Sequence, residues 1–382
     1  MELIRIITAG IASMAMAMGI ARFAYTPMIQ IMTEAGVLTV AQAGGIASLN
    51  YLGYLAGSIF FMVKPIRRKY TWFAVMYFIN ALSLGLFALT QDIYAWSVLR
   101  TVSGFASAGM FLLMSVIASE ALVQKGQLRF VGLIYTGIGT GILISGFTVL
   151  VFGQYMGWKG LWIVFFIGML LTAPLCWFRP AGGHTHSQTA SAPEEPMHPF
   201  IYFLSAAYFL MGTAYIVSGT FLVLIIGRAG FSGYWAWMIT GLSAVPGIIY
   251  FTLNAGRTGF MKNLIPAYVF LGISCAIPAI SGSAPALFLA AGMYGATFLG
   301  IVALTVGFAK KLAGSRTAYA IGLVTVAFSV GQMIGPAAAG WSAEKTGNFS
   351  YSLMAASVLC AAAILILMAG CYFNRRRSVC RM

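Results

Sequence analysis

About a dozen stretches of this 382-residue chain are each apolar over the ~18–20 residues needed to cross a bilayer, and this repetition constrains the fold more than any motif does. With 60% hydrophobic and 8% charged residues, against ~25% charged in soluble domains, most of the surface cannot face water. Disorder, coiled coil and collagen fail on the same composition. The chain is expected to be an all-α, polytopic membrane protein.

Twelve spans are expected, at 4–32, 40–63, 70–90, 93–120, 128–154, 158–178, 199–227, 233–255, 263–281, 284–309, 316–342 and 349–373. The first has the look of a signal peptide. It runs too long, contains an arginine and is followed by eleven more spans, so it is expected to be a retained helix. Orientation follows from Lys and Arg. One set of connections, with the termini, holds seventeen of them, whereas the alternate set holds three: Lys159, Arg228 and Lys345. Both termini are therefore expected on the cytoplasmic side. The net charge of +15 is a topological signal and does not imply nucleic acid. Five cysteines lack paired spacing, so neither a disulfide framework nor a metal site is expected.

Residues 179–198, RPAGGHTHSQTASAPEEPMH, are polar and rich in Pro, Gly and Ser, as a cytoplasmic linker is. His184 and His186 form an HxH without further ligands, so the linker reading is preferred to metal binding. The linker separates six spans in 1–178 from six in 199–382. The halves also repeat. Gly137, Gly141 and Gly146 recur as Gly331, Gly335 and Gly340, each 194 residues later, and Gly53 recurs as Gly247. Such glycines are first of all packing devices between membrane helices. Pro336, after Gly335, frees a carbonyl in span eleven and could bend it.

The segments GIARFAYTPMIQIM (Gly19 to Met32) and QAGGIASLNYLGYLAGS (Gln42 to Ser58) resemble the YbfB/YjiJ-type branch of the major facilitator superfamily (MFS). The resemblance implies a fold of two pseudo-symmetric six-helix bundles in the bacterial inner membrane, working by alternating access. Three further features match in part. The loop KPIRRK (Lys64 to Lys69) has the basic character of the superfamily's gating motif without its aspartate, and GRTG (Gly256 to Gly259) keeps the Arg-x-Gly core. Arg100 to Gly104 resembles the R-x-x-x-G motif. The antiporter pattern G-x-x-x-G-P occurs in span eleven (Gly331, Gly335, Pro336), not in span five, so antiport is not inferred.

Arg22 and Arg100 lie inside helices, where an arginine costs ~2.5–3.5 kcal/mol and so faces a cavity or a partner. They sit ~15 Å and ~10 Å from the outer ends of their spans, and no Asp or Glu lies at matching depth. Unpaired arginines favour an anion, which the planar guanidinium takes in bidentate fashion. The alternative is that each caps backbone carbonyls or snorkels towards Glu34 or Asp92. By the repeat, Arg22 corresponds to Tyr215 and Arg100 to Tyr294, giving a cationic wall opposite an aromatic one. Tyr25, Asn50, Tyr54, Ser218, Thr297 and Gln332 are candidate further lining residues, each equally explicable by helix packing. Glu34, Asp92 and Glu120 are candidates for proton coupling, which the family resemblance implies. Gly137, Gly141, Gly331, Gly335 and Pro336 are candidates for gating and helix packing.

The expected function is secondary transport of a small, partly apolar organic anion by a monomer in the lipid bilayer, without cofactor. A membrane-embedded transferase is the alternative enzyme class. No H-E-x-x-H or carboxylate cluster supports it, and no P-loop supports a pump. A non-transporting nutrient sensor on a carrier fold would share this sequence pattern.

Overall fold

Residues 2–64, 66–127, 130–177, 196–314 and 316–374 are described in the structure, a computed structural model. His184, His186, Glu194, Glu195, Arg129, Arg179 and the arginines at 375–377 and 381 lie outside them. So does the expected linker, apart from residues 196–198.

Among the described residues every regular element is helical. Eleven helical segments are long and apolar enough to cross a membrane: α1 Glu2–Glu34, α2 Val40–Val63, α3 Lys69–Leu89, α4 Ile93–Gln124, α5 Val131–Cys176, α6 Phe200–Arg228, α7 Gly233–Thr258, α8 Phe260–Ile280, α9 Ala284–Leu312, α10 Tyr319–Thr346 and α11 Ser350–Phe373. Side-chain caps mark two of the starts. Thr39 and Gln42 form a capping box on α2, and Asp92 accepts from the Ala95 N–H on α4.

α5 has 46 residues, about 69 Å of helix against a ~30 Å hydrocarbon core. It is two helical arms meeting at Gly157, where φ 59° and ψ −174° leave helical space, a conformation that glycine adopts without a Cβ clash. The first arm follows α1 from Gly10, which faces Ile134, to Ile31, which faces Gly153. The second arm returns: Trp162 lies beside Tyr25, and the Tyr77 hydroxyl donates to the Met169 carbonyl at 2.6 Å. This reversal falls between 154 and 158, where the sequence pattern breaks.

The connections leave two faces. The starts of α1, α3 and α6 and the ends of α2, α4, α7 and α9 share one face, which carries the ion pairs Lys69–Glu120 and Lys125–Glu2. We call it the basic face, because Arg5, Lys64, Arg67, Arg68, Arg257, Lys262, Lys310, Lys311 and Arg316 lie there too. Lys159, Arg228 and Lys345 lie at the opposite face.

Close packing follows the sequence repeat. α2 packs on α4 as α7 packs on α9, and α5 packs on α7 as α10 packs on α2. A Cβ on Gly53 would stand 1.9 Å from the Thr101 carbonyl oxygen, and one on Gly247 would stand 2.1 Å from that of Ala296. Gly146 lies against Tyr234 and Met238 of α7, while Gly340 lies against Val40 and Gly44 of α2. Each of these partners is also separated by 194 or 195 residues from its counterpart. Gly137 and Gly141 lie against Ile11 and Ala15 of α1, and Gly331 and Gly335 against Phe209 and Thr213 of α6. Small residues thus let backbone meet backbone, as dispersion-driven association in lipid favours.

Cys176, Cys275 and Cys360 are free and buried. Cys371 is disulfide-bonded, contrary to the expectation drawn from cysteine spacing.

Gly53→Leu forces a side chain into the Thr101 backbone and should cost ~1–3 kcal/mol or more. Gly45→Leu, eight residues earlier with nothing within 4 Å of its Cβ position, should be neutral. Thermal melting of the two purified variants checks the contrast.

Candidate functional site

The polar centre is organised by an irregularity in α1. Residues Ala15–Phe23 form a π-helix before α-helix resumes at Tyr25–Glu34. Pro27 contributes no N–H to the carbonyls one turn behind it, and Gly19 brings the segment against Gly141 of α5. Two carbonyls near the end of the π segment turn to α4: Arg100 Nη1 donates to the Ala21 oxygen at 2.8 Å and Nη2 to the Arg22 oxygen at 3.1 Å. The Arg100 guanidinium also lies 4.7 Å over the Tyr25 ring. Its own carbonyl accepts from Asn50 Nδ2 at 2.7 Å, which ties α2 to the same point. Beside this clamp, Ser103 donates to Asn80 Oδ1 (2.7 Å) and Asn80 Nδ2 to Ser107 (2.9 Å), joining α3 and α4.

Arg22 is bonded differently. It is 3% exposed, and its guanidinium lies over Tyr54 at 4.2 Å, Tyr51 at 4.6 Å and Phe23 at 5.4 Å. Cation–π contacts of this kind give ~2 kcal/mol or more when desolvated. Its Nε and Nη2 are buried without a hydrogen-bond partner, and it has no acidic partner among the described residues. Of the two arginines, therefore, Arg100 caps carbonyls with both Nη groups and leaves only its Nε without a partner, whereas Arg22 keeps two unsatisfied donors, Nε and Nη2.

The second half places aromatic rings at the corresponding positions. Tyr215 stacks on Tyr294 (centroids 6.5 Å), Phe298 (6.1 Å) and Phe328 (5.4 Å), with interplanar angles of 12°, 8° and 12°. Tyr208 continues the stack on Phe328 at 4.3 Å. Gln332 Nε2 donates to the Tyr215 hydroxyl, while its Oε1 is buried without a donor. Phe23, next to Arg22, meets Phe298 edge-on at 6.2 Å and so connects the charged region to the stack.

All ten residues expected to line a site are buried, none more than 7% exposed. Arg22, Arg100, Tyr25, Asn50 and Tyr54 come together in the first half, and Tyr215, Tyr294 and Gln332 in the second. Ser218 and Thr297 are bonded elsewhere, to Cys275 Sγ at 3.5 Å and to the Met293 carbonyl at 2.8 Å. The three candidate carboxylates are at the faces. Glu34 accepts from Gln30 (2.8 Å), Asp92 caps α4 and Glu120 pairs with Lys69. Tyr51, Phe298 and Phe328 were not among the expected residues, because a lone aromatic in an apolar span carries no mark of its partner.

The halves also touch at the opposite face. Thr26 donates to the Gly219 carbonyl, Ser48 accepts from the Ala337 N–H at 3.0 Å, and Glu344 accepts from the Ala41 N–H at 2.8 Å.

The profile of the family described as "Uncharacterised MFS-type transporter YbfB" matches residues 14–368. A protein of Haemophilus influenzae described as "Putative metabolite transport protein" is 22% identical over 54% of this chain and 51% of its own length. The sialic acid transporter NanX of Escherichia coli is 24% identical over 57% of this chain and 60% of its own. The chain thus spans little more than half the length of these relatives. Among solved structures, the nucleoside transporter NupG superposes with a TM-score of 0.72 at 14% identity, over 97% of this chain and 99% of that one. A bacterial homologue of the human lysosomal transporter Spinster, inward-facing and unoccupied, gives 0.70 at 13%, over 100% and 98%. At these identities the structures establish the fold alone.

The different bonding of the arginines predicts different stabilities. Arg100→Met strands two buried carbonyls and should cost ~2–3 kcal/mol. Arg22→Met removes a buried charge with two free donors and should be neutral or stabilising. Thermal melting of both variants in detergent tests the distinction.

Proposed function

The chain belongs to the family of YbfB-type MFS transporters, and from that premise we propose that it carries a small organic anion across the bacterial inner membrane by alternating access. In this reading α5 supplies crossings five and six, and two six-helix halves, 1–178 and 199–382, rock about the cluster around Arg22. The basic face is cytoplasmic, by the positive-inside bias.

One observation carries the anionic solute: Arg22 is a buried cation with free donors and no acidic partner among the described residues. A charge in that state is costly unless a counter-charge arrives. A solute bearing one relieves the cost when it binds, and the relief is lost when it leaves. The aromatic stack of Tyr215, Tyr294 and Phe298 offers the rest of the solute an apolar surface. The name of the relative NanX, a sialic acid transporter, agrees with an acidic solute. Proton coupling rests on the family resemblance alone.

The contacts between Thr26 and Gly219, Ser48 and Ala337, and Glu344 and Ala41 close the opposite face in this conformation, and transport requires them to break. An exchange of two open states that both bind the solute would do so.

Two measurements test the proposal. Uptake into proteoliposomes, screened over anionic, cationic and neutral organic solutes, should select an anion. Arg22→Ala should reduce that flux ~100-fold or more, as expected for loss of a charge-assisted contact. Unchanged flux would refute the assignment, and saturable binding without flux would mark a sensor. Collapsing the proton gradient in the same vesicles tests coupling. For the conformational step, Thr26→Val with Glu344→Ala should raise maleimide labelling of a Gln30→Cys reporter from the opposite face by several-fold. Equal labelling would show that these contacts do not hold the face shut.

A further inference from the structure

The free edge of Arg22 has a shape that a diffuse positive field would not require. Its two partnerless donors are Nε and Nη2, the pair whose N–H bonds run parallel along one edge of the guanidinium plane. That edge matches both oxygens of a single carboxylate. The plane itself is fixed, with Tyr54 at 4.2 Å and Tyr51 at 4.6 Å.

The acceptors nearby add a second requirement. Asn50 lies one helical turn before Tyr54, on the same face of α2. Its Nδ2 donates to the Arg100 carbonyl at 2.7 Å, and its Oδ1 is buried with no donor. The amide cannot be reversed without setting oxygen against oxygen, so the unsatisfied atom is an acceptor. In the second half, Gln332, bonded to the Tyr215 hydroxyl, also has one amide atom without a partner, and because a hydroxyl both donates and accepts, that atom is an acceptor or a donor according to which way the amide faces. A simple carboxylate would fill the Arg22 edge and leave the Asn50 oxygen empty. A buried acceptor without a donor discriminates strongly against any ligand that lacks one.

Resting on the anion reading above, we infer that the solute is a hydroxylated, ring-bearing carboxylate. Its two carboxylate oxygens accept from Nε and Nη2 of Arg22. One hydroxyl donates to Asn50 Oδ1, another bonds the free amide atom of Gln332, and the face of its ring lies on the Tyr215–Phe298 stack. Arg100, committed to the Ala21 and Arg22 carbonyls, makes no contact with it.

Calorimetric titration of the purified full chain tests this with four probes: glucuronate, cyclohexanecarboxylate, glucose and a sugar phosphate. Glucuronate should bind at least ~10-fold more tightly than cyclohexanecarboxylate, and glucose should not saturate. Arg22→Lys keeps the charge but not the two-pronged edge, and should weaken glucuronate by ~10–100-fold. Asn50→Ala should narrow the preference for glucuronate over cyclohexanecarboxylate, and a melting curve reports separately the lost bond to Arg100. Equal affinity for the two acids would overturn the hydroxyl requirement and leave the anionic site standing. Preference for the sugar phosphate would overturn the carboxylate. Glucose binding as tightly as glucuronate, with Arg22→Lys silent, would overturn the anionic reading as well. Failure of both acids to bind at millimolar concentration would overturn the inference.

Discussion

Main-chain carbonyls inside hydrocarbon can draw a charged donor from a neighbouring helix, and the centre of this protein is arranged around two that do, those of Ala21 and Arg22. The π segment of α1 turns the Ala21 and Arg22 oxygens towards α4, and Arg100 answers both. The supporting contacts then follow in order. Asn50 holds the carbonyl of Arg100, and Gly104 lets α2 approach closely enough for that bond, since a Cβ there would lie 1.9 Å from the Asn50 main-chain oxygen. The Tyr25 ring faces the same guanidinium. Arg100 thus spends both Nη groups on carbonyls and leaves only its Nε without a partner, whereas Arg22 leaves two donors on one edge, which is the charge the proposed solute would answer.

The same helical positions carry different chemistry in the two halves. Where the first half has Arg22 and Arg100, the second has Tyr215 and Tyr294, which stack at 6.5 Å. Charge in a membrane interior demands specific partners, and stacked rings demand only area. A solute placed between them would meet directional, polar recognition on one side and adaptable contact on the other. Repetition in sequence thus fixes where the two sets of side chains sit, and divergence within the repeat decides what each set can recognise.

Much of the architecture was legible because lipid imposes strong rules on sequence. Apolar length marked the helices, and the interruption around Gly157 marked the reversal within α5. The glycines spaced 194 residues apart proved to be points of equivalent contact, and the candidate lining residues are all buried. The division between the arginines was not legible. Both are lone cations in apolar helices, and only the π register of α1 decides which one meets free carbonyls. Glu120 offered no sign that Lys69, 51 residues away in sequence, would hold it. Nor did Ser218 and Thr297 indicate that a thiol and a helix carbonyl would claim them. Such choices are made by tertiary neighbours, which spacing alone does not reveal.

The two seams between α5 and α7 and between α2 and α10 have a mechanical consequence. At Gly139, which lies against the Gly241 carbonyl, and at Gly340, which lies against Val40 and Gly44, each joins main chain to main chain, so small displacements there require little change of rotamer. Surfaces of this sort act less as an adhesive than as a bearing. In the rocking proposed above, the pair would let one half tilt on the other while the load on each sliding track stays balanced.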